Sequence, residues 1–317
     1  MSDLLTLADV EEAAERIRNT VRRTPLIEVG PVKSCLVAQD ATLHLKLECL
    51  QVTGSFKPRG ASNKLALTDR QTVARGVCTA SGGNHGLAVA YVARRAHLPA
   101  TIFVPSSTPQ HKCDKIEEWD AEVVVHGEVW DEANDAAHKT AMARGLVYIH
   151  PFADPAVIAG QGTVALEVLA DAPDIDTLLV AIGGGGLISG IATAAQALRP
   201  SIKIVGVEPT GAPTMFESIK ARQLVTLGRI DTTAGTLAPR RTTARNLQII
   251  TDTVDRIVLV SDDEMRQAAR WLWFELGIAA ELSGAATVAA LMFGRHRPQA
   301  GENVVSLICG AGTDGLG

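Results

Sequence analysis

Short apolar runs alternate along this chain with longer stretches in which apolar residues recur at helical spacing, and that alternation predicts its elements. Val73–Thr79, Ala100–Val104, Ala121–His126 and Val147–His150 read as strands, and Asn84–Ala96, Thr108–Glu118 and Asp131–Ala143 between them read as helices. Regular strand–helix alternation over 73–150 implies a mostly parallel sheet covered by helices. The pattern resumes with strands at Leu178–Ile182, Ile202–Val207, Arg256–Val260 and Val304–Ile308, and helices at Leu187–Leu198, Asp262–Leu276 and Ser283–Met292. Ala8–Ile17 reads as a helix and Thr42–Glu48 as a strand, both assigned to this second lobe. The expected fold is α/β with two lobes, each a mostly parallel twisted sheet flanked by helices. Residues 1–70 and 151–317 would form the large lobe, with a small lobe, 71–150, inserted in it. The stretch 209–246 mixes Gly, Pro and Thr with a short helical pattern and reads as a loop excursion over a ligand site.

Composition narrows the class. The chain has 317 residues, 46% hydrophobic, 21% charged and only 4% aromatic, so its cores are expected to be built from Ala, Val, Leu and Ile. With 30 basic against 35 acidic residues and no long basic run, nucleic acid and anionic membranes are poor partners. The five cysteines (Cys35, Cys49, Cys78, Cys113, Cys309) are scattered without a C-x-x-C pair, which points to neither zinc ligation nor a disulfide framework. Met1–Leu5 lacks a basic-then-apolar leader, and no apolar run approaches the roughly 20 residues that span a bilayer. A cytoplasmic location is expected.

Candidate chemistry lies in three segments. In Gly54-Ser55-Phe56-Lys57-Pro58-Arg59-Gly60-Ala61, Pro58 suits the first turn of a helix and places Lys57 at a junction. A partly apolar pocket there would desolvate the ammonium, lower its pKa and leave an amine able to form a Schiff base; the alternative is a snorkelling surface lysine. In Ile182-Gly183-Gly184-Gly185-Gly186-Leu187, four consecutive glycines follow an apolar strand and precede a helix. Successive N–H groups without side chains can close around an anion at a helix start, so a phosphate is the natural guest, with a tight turn as the alternative. No lysine follows in a nucleotide-loop pattern, which favours a small phosphorylated cofactor over a nucleotide. Third, in Ser81-Gly82-Gly83-Asn84-His85-Gly86, the serine and successive N–H groups could hold a carboxylate, or Ser81 could simply cap a helix.

In that order these segments resemble the fold type II pyridoxal phosphate enzymes, whose fold is tryptophan synthase β-like, and within them the serine/threonine dehydratases. Glu281-Leu282-Ser283-Gly284-Ala285-Ala286 and Cys309-Gly310-Ala311-Gly312-Thr313-Asp314 match two later motifs, so the resemblance spans nearly the whole chain. It implies that Lys57 holds pyridoxal 5′-phosphate as a Schiff base and then acts as the base at Cα. Phe56 would pack near the ring and Asn84 would hydrogen-bond its 3′ oxygen. Gly183, Gly184, Gly185, Gly186 and Leu187 would hold the phosphate, Glu281 would line the cofactor site, and Ser81, Gly82, Gly83, Asn84 and His85 would receive the substrate carboxylate. Cys309 would face the pyridine nitrogen. A neutral thiol cannot keep that nitrogen protonated, which weakens the ring as an electron sink and favours prompt loss of a β leaving group.

The implied function is a lyase: a dehydratase (ammonia-lyase) turning L-threonine or L-serine into a 2-oxo acid and ammonia, acting as a homodimer. Alternatives are a dehydratase for a bulkier or aryl substrate such as phenylserine, a β-replacement enzyme or racemase, and a non-catalytic pyridoxal phosphate protein. Two departures bear on these. Gly82 stands where racemase relatives carry a serine acid/base, which argues against racemisation, and it is expected to leave space beside the substrate. Glu208 and the Ala212 carbonyl resemble part of a divalent-cation site, but Thr214 replaces the expected aspartate, which weakens the metal reading.

Overall fold

The structure, a computed structural model, describes residues 5–38 and 40–316; the amino-terminal residues 1–4 read above, Gln39 and Gly317 lie outside them. A capping box of Thr6 and Asp9 starts α1 (Leu7–Ile17). The chain continues through β1 (Leu26–Glu28), β2 (Thr42–Lys46), α2 (Lys57–Leu67), α3 (Arg70–Val73), β3 (Val77–Ala80), α4 (Asn84–Arg95), β4 (Ala100–Val104), α5 (Gln110–Glu117), β5 (Glu122–Val125), α6 (Trp130–Arg144) and β6 (Val147–Tyr148). Then come α7 (Pro155–Asp171), β7 (Thr177–Ala181), α8 (Gly186–Leu198), β8 (Lys203–Pro209), α9 (Thr214–Ala221), α10 (Ala244–Thr253), β9 (Arg256–Val260), α11 (Asp262–Leu276), α12 (Leu282–Met292) and β10 (Asn303–Leu307).

These elements form two sheets, one in the order β1-β2-β10-β7-β8-β9 and one in the order β5-β4-β3-β6. Every strand pair is parallel except β1–β2, where Ile27 faces Leu45. In the large sheet Leu178 of β7 lies level with Ile204 of β8 and Val305 of β10. Both β4 and β7 are buried along their whole length, which is why they read as continuous apolar runs rather than alternating ones.

The structure departs from the expected elements in four places. The predicted strand 73–79 begins only at Val77: Asp69 caps the short helix α3, and Gly76 at φ +108° turns the chain into the sheet. The helix predicted from Thr108 starts after Pro109, at Gln110. The excursion 209–246 contains α9, a 3-10 turn at Gly235–Leu237 and the start of α10. The fourth is α7, which no polar stripe announces because its central residues, Val157 to Val164, are buried on every side. It packs against both α2 and α8. A Cβ at Gly60 would lie 2.5 Å from Gln161 Nε2, and one at Gly160 2.5 Å from the Arg59 carbonyl oxygen, so glycine at both positions permits the α2–α7 approach.

Candidate active site

Lys57 is the first residue of α2, followed by Pro58 within the first turn. Its Nζ donates to the Pro151 carbonyl at 2.9 Å and lies 5.0 Å from the Phe56 ring centroid. Among the described residues no carboxylate pairs with it. Burial therefore dominates and lowers its pKa to about 8, partly opposed by Cys309 and Glu281. Two residues on, Arg59 is buried and forked between carboxylates: Nε and Nη2 donate to Glu48 at 2.8 and 2.7 Å, and Nη1 and Nη2 donate to Glu167 at 2.7 and 2.9 Å. Lys46 Nζ donates to Glu167 at 2.6 Å. This ionic cluster ties the start of α2 to β2 and α7.

The glycine run joins β7 to α8, with Gly185 at φ +90° preceding the helix. Among the described residues the N–H groups of Gly183, Gly184 and Gly185 find no acceptor, and the first turn of α8 adds its own free donors. The absent side chains are needed for packing too. A Cβ at 183 would lie 2.8 Å from the Thr236 carbonyl oxygen, and one at 184 would lie 2.2 Å from the Phe152 ring. Asn246 Nδ2 and Thr242 Oγ1 hold the Gly184 carbonyl at 2.8 and 3.0 Å, which fixes how the peptide groups face. Orphan N–H groups at a helix start fit a phosphate.

Asn84 opens α4, and its Nδ2 donates to Glu281 Oε1 at 2.8 Å. The same oxygen accepts from Ser283 Oγ and, at 3.4 Å, from Thr236 Oγ1. Burial raises the Glu281 pKa, although the hydrogen bonds from Ser283 and Asn84 oppose the shift. Cys309 is buried with Sγ 3.3 Å from the Ser283 carbonyl, and burial, with Glu281 beside it, pushes the thiol up, so it stays neutral. Main-chain pairing draws these segments together: Ser55 bridges Gly310, Ala280 bridges Ala311, and the Phe56 N–H reaches the Cys309 carbonyl at 3.3 Å.

Some expected features are placed differently. His85, grouped with the carboxylate loop, is buried, and its Nε2 bonds the Ile149 carbonyl at 2.9 Å. Burial takes its pKa down to about 3, so the ring is a neutral core group. The space expected beside Gly82 is filled, since a Cβ there would lie 2.6 Å from Thr108 Cγ2 and 2.7 Å from its Oγ1. Gly82 therefore adds no room for a larger β-substituent on this side. Glu208 caps α9 instead of facing an open site: its two oxygens accept from the N–H groups of Met215 and Phe216, each at 2.8 Å. Burial raises that carboxyl to about 8 against the pull of these donors. Thr214 Oγ1 donates to the Pro239 carbonyl at 2.7 Å. Sequence reasoning missed Pro151, Phe152, Thr236 and Asn246, which act through carbonyls or by closing over the glycine run. Only the glycine, proline and threonine content of 209–246 hinted at Thr236 and Asn246, which both lie in that stretch.

A desolvated amine without a counter-ion among the described residues, bonded to Pro151 next to the Phe152 that packs on a run of free N–H groups at the carboxyl end of β7, is an arrangement suited to a phosphorylated carbonyl cofactor. Residues 17–310 match the family of pyridoxal-phosphate dependent enzymes, and the chain belongs to that family. It is 40% identical over 298 residues to an L-threonine ammonia-lyase of Geobacter sulfurreducens, covering 94% of this chain and 73% of that protein. Maize serine racemase superposes with a TM-score of 0.92 at 32% identity, covering 97% of this chain and 94% of that one. The processed form of threonine deaminase isoform 2 from Solanum lycopersicum superposes with a TM-score of 0.89 at 33% identity, over 96% and 83% of the two chains.

Proposed function

We propose that this protein is a pyridoxal-phosphate-dependent ammonia-lyase that dehydrates L-threonine or L-serine to the 2-oxo acid and ammonia. The observation that carries the reading is Lys57: a half-buried amine, desolvated and held by a single carbonyl, with a neutral thiol at Cys309 in its electrostatic reach. The similarity to an L-threonine ammonia-lyase supports the same reaction.

When bound, the cofactor delocalises the electron pair left at the substrate Cα. Lys57 Nζ would hold it, and the N–H groups of Gly183, Gly184 and Gly185 with the α8 terminus would hold its phosphate. Glu281 orients the Asn84 amide through their 2.8 Å bond, and that amide would hydrogen-bond the cofactor's 3′ oxygen. The Ser81 hydroxyl and the N–H groups at the start of α4 receive the substrate carboxylate. Lys57 Nζ would also take the Cα proton. With a pKa of about 8, about a quarter of such amines are neutral at pH 7.5, against about 0.1% for an ordinary lysine. Cys309, a neutral thiol, offers no negative charge that would keep a ring nitrogen protonated, which favours prompt loss of the β-hydroxyl. Gly82 carries no acid/base on the opposite face, which disfavours racemisation. The reading extends to a cytoplasmic homodimer, which sedimentation equilibrium checks for assembly. Release of 2-oxobutanoate from L-threonine and of pyruvate from L-serine, abolished in Lys57→Ala, is the expected result. A cofactor-loaded protein that yields no 2-oxo acid from any β-hydroxy amino acid would overturn the assignment.

A further inference from the structure

A second polar cavity lies far from Lys57 in the fold, at the amino ends of β8, β9 and β10. It has a volume of about 290 Å³ and is lined by Lys203, Asp255, Arg256, His296, Arg297 and Glu302, among others. Three cations face two carboxylates, but the carboxylates are turned inward. Asp255 Oδ2 accepts from the Ile204 N–H at 2.7 Å. Glu302 Oε1 accepts from Thr177 Oγ1 at 2.5 Å and its Oε2 from the Gln299 N–H at 2.7 Å. The cations are left with donors to spare: among the described residues the side chains of Lys203 and Arg297 form no hydrogen bond or ion pair.

His296 gives the independent sign of a ligand. It is 4% exposed, and Arg256 Nη2 meets its Nδ1 at 2.5 Å. A guanidinium only donates, so Nδ1 is the acceptor and the ring proton is on Nε2. That Nε2 is buried, has no hydrogen-bond partner and stands 3.8 Å from Glu302 Oε1, beyond hydrogen-bond reach. A buried N–H donor in this state costs about 1–3 kcal/mol unless an acceptor meets it.

We propose that this cavity is a binding site for a small phosphoryl anion, which would accept from His296 Nε2 and pair with Arg256, Lys203 and Arg297. Arginine forks match phosphoryl oxygens in two-bond geometry, and the volume of about 290 Å³ has room for one or two phosphoryl groups. Because Lys203 and Arg256 begin the neighbouring strands β8 and β9, and Glu302 immediately precedes β10 on the far side of β7, an occupant would tie the amino ends of β8, β9 and β10 together at the end opposite the catalytic lysine.

The test is calorimetric titration of the cofactor-loaded enzyme with inorganic pyrophosphate and, separately, inorganic phosphate, at ionic strength held constant with chloride. One pyrophosphate should bind per chain. Binding should weaken at least tenfold in Lys203→Met/Arg297→Met, whose two side chains are exposed and bonded to nothing that holds the fold. Lyase activity of that variant should be unchanged without the anion. Wild type showing no heat beyond the chloride control up to about 10 mM, a Kd that corresponds to less than about 3 kcal/mol of binding, would overturn the proposal. So would equal binding by wild type and the double variant.

Discussion

Replacing Arg59 by Met tests whether the buried ionic cluster behind Lys57 holds the site. The substitution roughly conserves volume and removes six donor contacts: two to Glu48, two to Glu167, one, at 3.1 Å, to Thr163 and one, at 3.4 Å, to the Arg22 carbonyl. Among the described residues, Glu167 then keeps Lys46 at 2.6 Å, whereas the Glu48 carboxylate keeps only the Thr24 hydroxyl at 2.5 Å and no paired cation. Breaking a buried ion pair from one side costs about 3–5 kcal/mol, and a carboxylate stranded without any cation places Arg59→Met in the upper half of that range. At about 2.1 cal/mol/K of unfolding entropy per residue, the 317-residue chain loses about 6–8 °C in Tm. Differential scanning fluorimetry at pH 7.5 measures this. Adding Glu48→Gln neutralises the stranded charge and should recover about 2 kcal/mol, making the double variant more stable than Arg59→Met alone. Activity at 25 °C should fall at least tenfold in Arg59→Met, since α2 carries Lys57 two residues upstream. A Tm loss below about 1.5 °C, or no recovery on adding Glu48→Gln, would refute the reasoning.

Uptake of pyridoxal phosphate by the cofactor-free protein needs a neutral Lys57 amine, whose pKa burial lowers to about 8. Below that pH the neutral fraction rises tenfold per unit, so the uptake rate should rise with pH and level off above about 8; a midpoint near 10.5 would count against the buried amine. Gly82→Ser drives its Cβ into Thr108, 2.6 Å from Cγ2, and should cost about 1–3 kcal/mol in urea unfolding, relieved by adding Thr108→Gly. If Thr108→Gly gives no relief, the contact is wrong. Because both Glu208 oxygens are engaged by main-chain N–H groups, dialysis against a chelator should leave lyase activity within about twofold; a larger loss restored by a divalent cation would return Glu208 and Ala212 to the metal reading.

Much of the architecture could be read from the chain because parallel strands covered on both faces, such as Leu178–Ala181, are unbroken apolar runs between helices of ordinary polarity. The same burial hid α7: a helix that is apolar on all sides shows no 3.6-residue stripe. In the candidate site, Lys57, Asn84 and Gly183–Gly186 can be picked out from the residues themselves, whereas Glu281 and Cys309 come forward only through the family resemblance. Illegible were groups that act by position alone. The carbonyl of Pro151 could belong to any residue, and Thr236 reaches Glu281 only because the excursion folds back over the glycine run. Thr108 is 26 positions from Gly82, so no local pattern could show that its side chain fills the gap.

The position of Lys57 relative to Cys309 depends little on either side chain. Phe56 N–H to the Cys309 carbonyl and Ala311 N–H to the Gly54 carbonyl are main-chain bonds, of 3.3 and 2.7 Å, that clip the lysine segment to the carboxyl end of β10. On the other side the Arg59 fork fixes α2 to β2 and α7 through side chains. The amine is thus held between a main-chain clip that fixes its distance to the thiol and an ionic clamp that fixes the direction of its helix. Side chains at 309 can change the electronics of the site with little effect on its geometry, whereas changes at 59 disturb the geometry and leave the electronics alone. Within this fold, then, the reaction favoured by a bound cofactor can be altered at the sheet end without rebuilding the lysine's support.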